Sequence, residues 1–389
     1  MIKLLVICNV DLTQKWGDYV RVFSLMNNLR DEGVDVFVLI VRPEYASPRI
    51  KRTQEDGVNV IQIHSPLRFL GNKRISRHIR YLSCYPLISK IASELIEEHG
   101  ISHVYSYMPG TGSSGPAMKI KARHKIKFIL DLADMYSMIK PQLIVNKSFK
   151  EADKIIVITK YLMDDLLKRG IPKEKIFQIP NGVDLVVFDP DKHLHTINKI
   201  RYDLGAEQLI VYSGALQDLN MVIDSAPLVK AKFPNVKYLI IGDHRDPLKS
   251  KSVWEKKIHE KGISDCFIFL GRIQRDKIPP YLTAADVCID SFPNEPYYAA
   301  AHPIKLLEYG GCGKAVVATR ISETANIIKH GEFGLLAESG NVEEYASYII
   351  KLLNNPSKTR EMGRNFQEYV QREFDWKILA KKLKQILEI

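Results

Sequence analysis

The chain has 389 residues, of which 46% are hydrophobic and 26% charged; this length exceeds one ordinary core and predicts two globular domains rather than a disordered or fibrous chain. Its formal net charge of +11 calls for an anionic partner, yet there is no zinc-finger spacing and no aromatic RNA-binding run, which leaves an anionic membrane surface or phosphorylated substrates and excludes nucleic acid. No apolar run reaches the ~18 residues that would span a bilayer.

Lys3–Val10 reads as a first strand; Asn9 and Asp11 cut the apolar run too early for a signal peptide. Asp11–Asp18 is a loop with Gly17. Tyr19–Glu32 has helical spacing of Val20, Phe23, Met26 and Leu29, and Gly33 ends it before a second strand, Val34–Val41. Residues 42–90 are less regular and basic: Arg49, Lys51 and Arg52, then Arg68, Lys73, Arg74, Arg77 and Arg80 interleaved with Leu67, Phe69, Leu70, Ile75, Ile79, Tyr81 and Leu82. Cations mixed with apolar and aromatic residues read as an interfacial segment for an anionic membrane. The plain alternative is a solvated charged face.

Pro86–His99 is predicted helical, Ile101–Met108 a strand. Gly110-Thr-Gly-Ser-Ser-Gly115 then opens a helix to His124, and the strand Lys127–Leu132 leads to Asp131 and Asp134. This imitates a dinucleotide fingerprint, but it is not on the first strand and its acid comes early, so a loop for phosphate or acceptor is the better reading than NAD(P). Glu151–Thr159 is a buried strand, Lys160–Lys168 a helix, and Pro180-Asn-Gly-Val-Asp184 a turn. The polar stretch Asp191–Lys199 marks the boundary between a first domain, 1–186, and a second, 187–372; a last helix occupies 373–389.

The second half restarts the alternation of strand and helix, the signature of a parallel sheet covered on both faces. Strands at Gln208–Tyr212, Val236–Ile241 and Cys266–Leu270 end in Ser213-Gly214, Gly242-Asp243 and Gly271-Arg272. In a doubly wound sheet ligands sit at such ends. Five cysteines, Cys8, Cys84, Cys266, Cys288 and Cys312, form no C-x-x-C pair and point to a reducing cytosol without disulfides or structural zinc.

Residues 286–319, DVCIDSFPNEPYYAAAHPIKLLEYGGCGKAVVAT, read as strand, loop, helix, Gly-rich turn and strand, with Pro303 at the first helical position. Lys305 lies in the first turn, where the helix macrodipole disfavours a cation, so something anionic should compensate. A helix N-terminus plus a lysine suits a phosphate. Glu308, three residues on, could accept both hydroxyls of a ribose. The alternative is a mere surface pair between Lys305 and Glu308.

These features resemble the GT-B glycosyltransferases, in particular the retaining family 4. The resemblance rests on EADKIIVIT…IPNGVDLVVFDP, FLGRI…IPPYLTAADVCI, HPIKLLEYGGCGKAVVAT and GEFGLLAESGNVEEYASYI, and covers nearly the whole chain. It implies two Rossmann-like α/β domains facing a cleft, with the last helix crossing back to the first domain. It implies transfer of a hexose-type sugar from a UDP-, GDP- or ADP-sugar, without cofactor, to a lipid-linked, polysaccharide or other cell-envelope acceptor, in the cytoplasm or peripherally on the inner membrane face; with no D-x-D motif in a suitable loop, no essential metal is expected. Donor-binding residues would be Ser213, Gly214, Gly242, Asp243, Arg272, Ile273, His302, Pro303, Ile304, Lys305, Leu306 and Glu308. The acceptor side would use Gly17, Gly110, Thr111, Gly112 and Asp134, with Asp134 orienting or deprotonating an acceptor hydroxyl. Lys305 and Glu308 would be catalytic beside it. The sequence departs from the family twice. The first glutamate of E-x7-E falls at Ala300, with Glu295 and His302 the nearest substitutes. The G-R-x4-K-G motif is replaced by Gly214-Ala-Leu-Gln-Asp-Leu-Asn220, as in members with P-x-K-x-x-E-Y, here Pro303 to Tyr309. A sugar-nucleotide epimerase-like enzyme or a non-catalytic relative are the alternatives.

Overall fold

The structure, a computed structural model, describes residues 2–13, 15–68, 74–216, 219–243 and 252–389. The chain forms two compact units, one of Met1–Asn181 with Trp376–Ile389 and one of Gly182–Asp375.

In the first unit the described strands are β1 (Lys3–Cys8), β2 (Asp35–Tyr45), β3 (Ile50–Glu55), β4 (Val58–Ser65), β5 (His103–Tyr107), β6 (Lys127–Leu132), β7 (Lys154–Val157) and β8 (Ile176–Gln178). They form one sheet in the order β3-β4-β2-β1-β5-β6-β7-β8. Every pairing is parallel except β3 with β4. The central strands are buried on both faces, hence their nearly unbroken apolar sequences.

The stretch expected to be irregular contains a hairpin. Asp56 and Gly57 both have positive φ, +48° and +81°, which suits the tight turn between β3 and β4. A second correction concerns Pro86, which does not start a helix but lies inside one running from Arg74 to His99. Tyr81, Cys84, Tyr85, Ile88, Ile91, Ala92 and Leu95 are buried at helical spacing on both sides of the proline, while Pro86 itself is exposed. Packing of that stripe outweighs the one backbone hydrogen bond the proline removes.

Arg21, in the helix Gly17–Asp31, is 1% exposed. Its Nε and Nη2 donate to the two carboxylate oxygens of Asp131 at 2.9 and 2.8 Å. Nη1 donates to Pro180 O and Asn181 Oδ1, and Nη2 also to Ile179 O. One side chain thus ties a helix, the end of β6 and the segment after β8. The last helix, Trp376–Glu388, buries Trp376, Leu379, Leu383 and Leu387. Its C-terminal carbonyl at Ile386 accepts from the Lys154 ammonium, and Lys384 donates to Glu32 O at 2.7 Å.

The second unit holds β9 (Gln208–Ser213), β10 (Val236–Ile241), β11 (Phe267–Gly271), β12 (Val287–Ile289), β13 (Val316–Thr319) and β14 (Gly334–Ala337). Their order is β11-β10-β9-β12-β13-β14, all parallel. Two apolar layers cover the sheet, one built around Tyr238, Val287 and Tyr345, the other around Leu209, Leu307 and Phe366. The chain winds outward from β9 to β11 and then returns to β12, so strand order reverses between β9 and β12. In an open sheet of this kind ligands bind at such a reversal, outside the carboxyl ends of the two strands.

All five cysteines are buried and unbridged. Among the described residues no helix is long and apolar enough to cross a membrane.

Candidate functional site

The carboxyl ends of β9 and β12 are held together by Tyr309 of the helix Ile304–Gly311. Its hydroxyl accepts from Ser213 N–H at 2.8 Å and lies 3.3 Å from the carbonyls of Ser213 and Ile289. The segment after β12 is equally fixed. Tyr345 donates to Asp290 O at 3.0 Å, and Thr319 Oγ1 to Phe292 O at 2.6 Å.

Lys305 reaches into this framework and not into solvent. Its ammonium lies 2.5 Å from Asp290 Oδ1 and 3.1 Å from the Tyr212 hydroxyl. It sits over two aromatic rings, 4.2 Å from the Tyr212 centroid and 4.4 Å from that of Phe292. The Lys305 side chain is 10% exposed and that of Asp290 1%. Burial alone would push the lysine pKa down, but the Asp290 carboxylate and the Tyr212 oxygen outweigh it and the pKa rises above its ordinary value. The unfavourable place of a cation in a helical first turn is therefore compensated, by a carboxylate that sequence spacing did not reveal.

Glu308 is also buried, and its partner is Arg275, not Lys305: Arg275 Nε donates to Glu308 Oε1 at 2.7 Å. Arg275 in turn stacks on Phe188, 4.9 Å from the ring centroid. The surface pair between Lys305 and Glu308 is thus excluded; each has a different counter-ion, fixed by a different element. Pro303 is the residue before the helix rather than its first, and it supplies no side-chain cap. Of the N–H groups that open the Ile304–Gly311 helix, that of Leu306 donates to Pro303 O at 3.2 Å; those of Ile304 and Lys305 have no acceptor within the helix.

The strand-end glycines pack against this centre. The position a Cβ would take on Gly214 is 3.3 Å from Lys305 Cδ. Gly242, at φ +135°, has no room for a Cβ at all, because it would overlap Gly214 O. The carboxyl ends of β9 and β10 and Lys305 are thus brought together by backbone approach. Ser213 is buried, Asp243 and Arg272 are exposed, and Ile273 is half-buried against the core. Leu306 and Pro303 are buried and Ile304 is half-buried. His302 is buried with its ring 5.7 Å from Phe374. Ala300, at the position of the missing glutamate, is fully buried, and Glu295 is exposed.

In the first unit the Gly-rich loop has a packing explanation. A Cβ on Gly112 would overlap the Tyr81 ring, and one on Gly115 the Tyr85 hydroxyl. Tyr85 donates to Thr111 O at 2.8 Å, and Thr111 Oγ1 lies 3.1 Å from His78 Nδ1. Gly110 N–H donates to Ser114 Oγ at 2.9 Å. Gly110, Thr111 and Gly112 are all buried. Asp134 is half-buried just beyond β6, where Oδ1 accepts from Met135 N–H at 2.7 Å. Gly17 is exposed and opens its helix.

Of the basic set, Lys73 lies outside the described residues. Arg74 opens the long helix. Arg77 is exposed, 5.9 Å from the Tyr81 centroid, Arg68 lies 5.7 Å from that of Tyr45, and Arg80 is half-buried. Ile75, Ile79 and Leu82 stand on the same helix, 75%, 44% and 48% exposed, at spacings that put them on one face.

Residues 207–355 match the family Glycosyl transferases group 1, and residues 20–187 match Glycosyltransferase Family 4. The chain is similar to an uncharacterised glycosyltransferase of Methanocaldococcus jannaschii, 24% identical over 244 residues, 62% of this chain and 59% of that protein. It is similar also to a GDP-mannose-dependent alpha-(1-6)-phosphatidylinositol monomannoside mannosyltransferase of Mycobacterium tuberculosis H37Rv, 23% identical over 244 residues, 60% of this chain and 61% of that one. The match thus spans under two thirds of either relative. Among solved structures, Anabaena Alr3699/HepE in complex with UDP-glucose superposes with a TM-score of 0.74 at 18% identity, covering 100% of both chains.

Proposed function

We propose a reaction from one premise, that the chain belongs to the family 4 and group 1 glycosyltransferases and has their GT-B fold. The reaction is retaining transfer of a hexose-type sugar from a UDP-, GDP- or ADP-sugar to a lipid-linked, polysaccharide or other cell-envelope acceptor. The observation that carries this reading is the buried Lys305 at the strand-order reversal, beside a helix N-terminus and two glycine-lined strand ends.

Cleaving the anomeric C–O bond builds negative charge on the departing diphosphate. Lys305 and the N–H groups of Ile304 and Lys305 would be the donors for that charge, held in place before the reaction and therefore costing no reorganisation, while the Leu306 N–H would have to leave Pro303 O to join them. No D-x-D motif sits in a suitable loop of the sequence, so the reaction is proposed to need no divalent metal. Glu308, oriented by Arg275, would hold the ribose, and Ser213, Gly214 and Gly242 would line the diphosphate. Arg272 and Ile273 would lie toward the base. Asp134 would serve the acceptor hydroxyl, with Gly17 and the Gly110–Gly112 loop on the acceptor side.

Support for a nucleotide-sugar donor comes from the family and from the named relatives, one GDP-mannose-dependent, one solved with UDP-glucose. Support for a membrane-borne acceptor comes from that same mannosyltransferase's lipid substrate and from the exposed Ile75, Ile79 and Leu82 on a helix that also exposes Arg77. A helix that exposes both apolar residues and a cation suits an anionic leaflet. We place the enzyme peripherally on the cytoplasmic face.

A thermal-shift screen of UDP, GDP and ADP with their sugars tests the donor. One base is expected to raise Tm by several degrees at a hundredfold excess over Kd, since binding then adds about 2.7 kcal/mol. No shift with any of them would remove the donor site. Co-sedimentation with phosphatidylglycerol vesicles tests the surface. Neutralising Lys73, Arg74, Arg77 and Arg80 is expected to release most of the bound protein, at about 1 kcal/mol per charge near the surface; equal binding of both forms would remove it.

A further inference from the structure

We infer that Asp290 is a positioning residue of the donor site: its buried carboxylate fixes the Lys305 ammonium at the β9–β12 reversal, where the diphosphate lands. The inference rests on the donor reading above, but assigns a role to a residue that reading does not use.

The geometry is specific. Asp290 follows β12 directly, and its backbone is fixed at both ends, with its N–H on Val317 O at 3.0 Å and its carbonyl accepting from Tyr345. Its side chain is 1% exposed, and its one ion-pair partner among the described residues is Lys305, 2.5 Å away. A carboxylate held in the core without a cation would cost several kcal/mol, and so would the lysine. The pair is therefore obligatory from both sides.

Its place is also informative. An ion pair that served stability alone could be replaced by apolar residues at little cost. This one lies at the ligand-binding edge of the sheet, with Gly214 cleared of side chain beside the lysine stem. Tyr212 and Phe292 enclose the ammonium from two sides. Lys305 can then vary little in position, and a donor held still before the reaction is what stabilises charge developing on a leaving group. Among the described residues the ionisable groups facing the pair are Tyr212 from β9, Tyr309 from the lysine's own helix and Tyr345 from the helix Val342–Asn354. Burial holds Tyr309 and Tyr345 well above the ordinary tyrosine value, and Asp290 is the carboxylate in contact with the ammonium.

The sign follows. With Asp290 present the folded pKa of Lys305 lies above its ordinary 10.5, and the ammonium persists throughout the working range. Without it, burial is opposed by Tyr212 alone and the pKa falls. The test has two parts. The first follows the Lys305 Cε resonance by NMR between pH 7 and 11.5, in the wild type and in Asp290→Asn, with Lys305→Arg for assignment. The wild-type midpoint is expected at or above the ordinary lysine value, and the Asp290→Asn midpoint lower by at least about one unit, a tenfold change in proton affinity. A wild-type midpoint below the ordinary value, or an unchanged midpoint in Asp290→Asn, overturns the assignment. The wild-type measurement stands even where the variant fails to fold.

The second part measures UDP and GDP affinity by calorimetry from pH 7 to 10. Wild-type affinity is expected to stay level, whereas that of Asp290→Asn falls about tenfold for each pH unit above its lowered lysine midpoint. Level affinity for the variant over a range where its lysine has lost its proton overturns the role in donor binding. If the wild type binds neither nucleotide but the NMR midpoints separate as expected, the donor reading fails while the Asp290–Lys305 pairing stands.

Discussion

Replacing Lys305 by alanine is expected to lower kcat/KM for sugar transfer by a factor of 10²–10³, about 3–4 kcal/mol of transition-state stabilisation. The argument is that the ammonium is preorganised rather than recruited. It is 90% removed from solvent, fixed by Asp290 and Tyr212 and flanked by two aromatic rings. Water cannot replace such a group at the moment the diphosphate departs. The same substitution leaves Asp290 buried without its cation, so it should also destabilise the second unit. The two effects separate in Lys305→Ala with Asp290→Asn, which is expected to regain stability but not activity. Recovery of activity in that double variant would show that the lysine serves folding alone.

The second large effect is structural. Arg21→Met is expected to lower the stability of the first unit by about 3–5 kcal/mol, because the Asp131 carboxyl is left buried without its partner. Arg21 donates to both Asp131 oxygens and to three further acceptors on residues 179–181, so the loss also releases that segment. Native-state hydrogen exchange of the β1, β5 and β6 amides should report the drop. Arg21→Met with Asp131→Leu should recover much of it, since an apolar pair of similar volume can replace a buried ion pair at little cost. Exchange unchanged in Arg21→Met would mean that the pair carries no stability.

The alternation of strand and helix makes the parallel parts of the two sheets legible in the sequence, because buried parallel strands are apolar throughout and their ends carry glycine. Lys305 and Glu308 were legible for a different reason. They lie within one turn of one helix, so spacing alone relates them. Their counter-ions were not. Asp290 and Arg275 belong to the segment after β12 and to a short turn after β11, and only the fold brings them to that helix. Arg21 escaped for the same reason, although a lone arginine among Val20, Val22 and Phe23 was itself a signal of a buried charge in need of an anion.

Two readings failed on local chemistry. Asp56-Gly57 is a hairpin turn, and its composition alone could have shown it. Pro86 reads as a helix start because its own penalty is visible in sequence, whereas the buried stripe from Tyr81 to Leu95 that carries the helix through it is a property of packing. The Gly-rich loop shows the converse. Its spacing imitates a phosphate cradle, yet the space over Gly112 and Gly115 is taken by Tyr81 and Tyr85.

The most direct measurement is calorimetric titration of the wild type, Lys305→Ala and Glu308→Ala with UDP and GDP. If the crevice between β9 and β12 holds the donor, one of the two nucleotides binds the wild type, and each variant binds it at least about tenfold more weakly, a loss of about 1.4 kcal/mol or more. Equal affinity of all three proteins for that nucleotide would contradict the account.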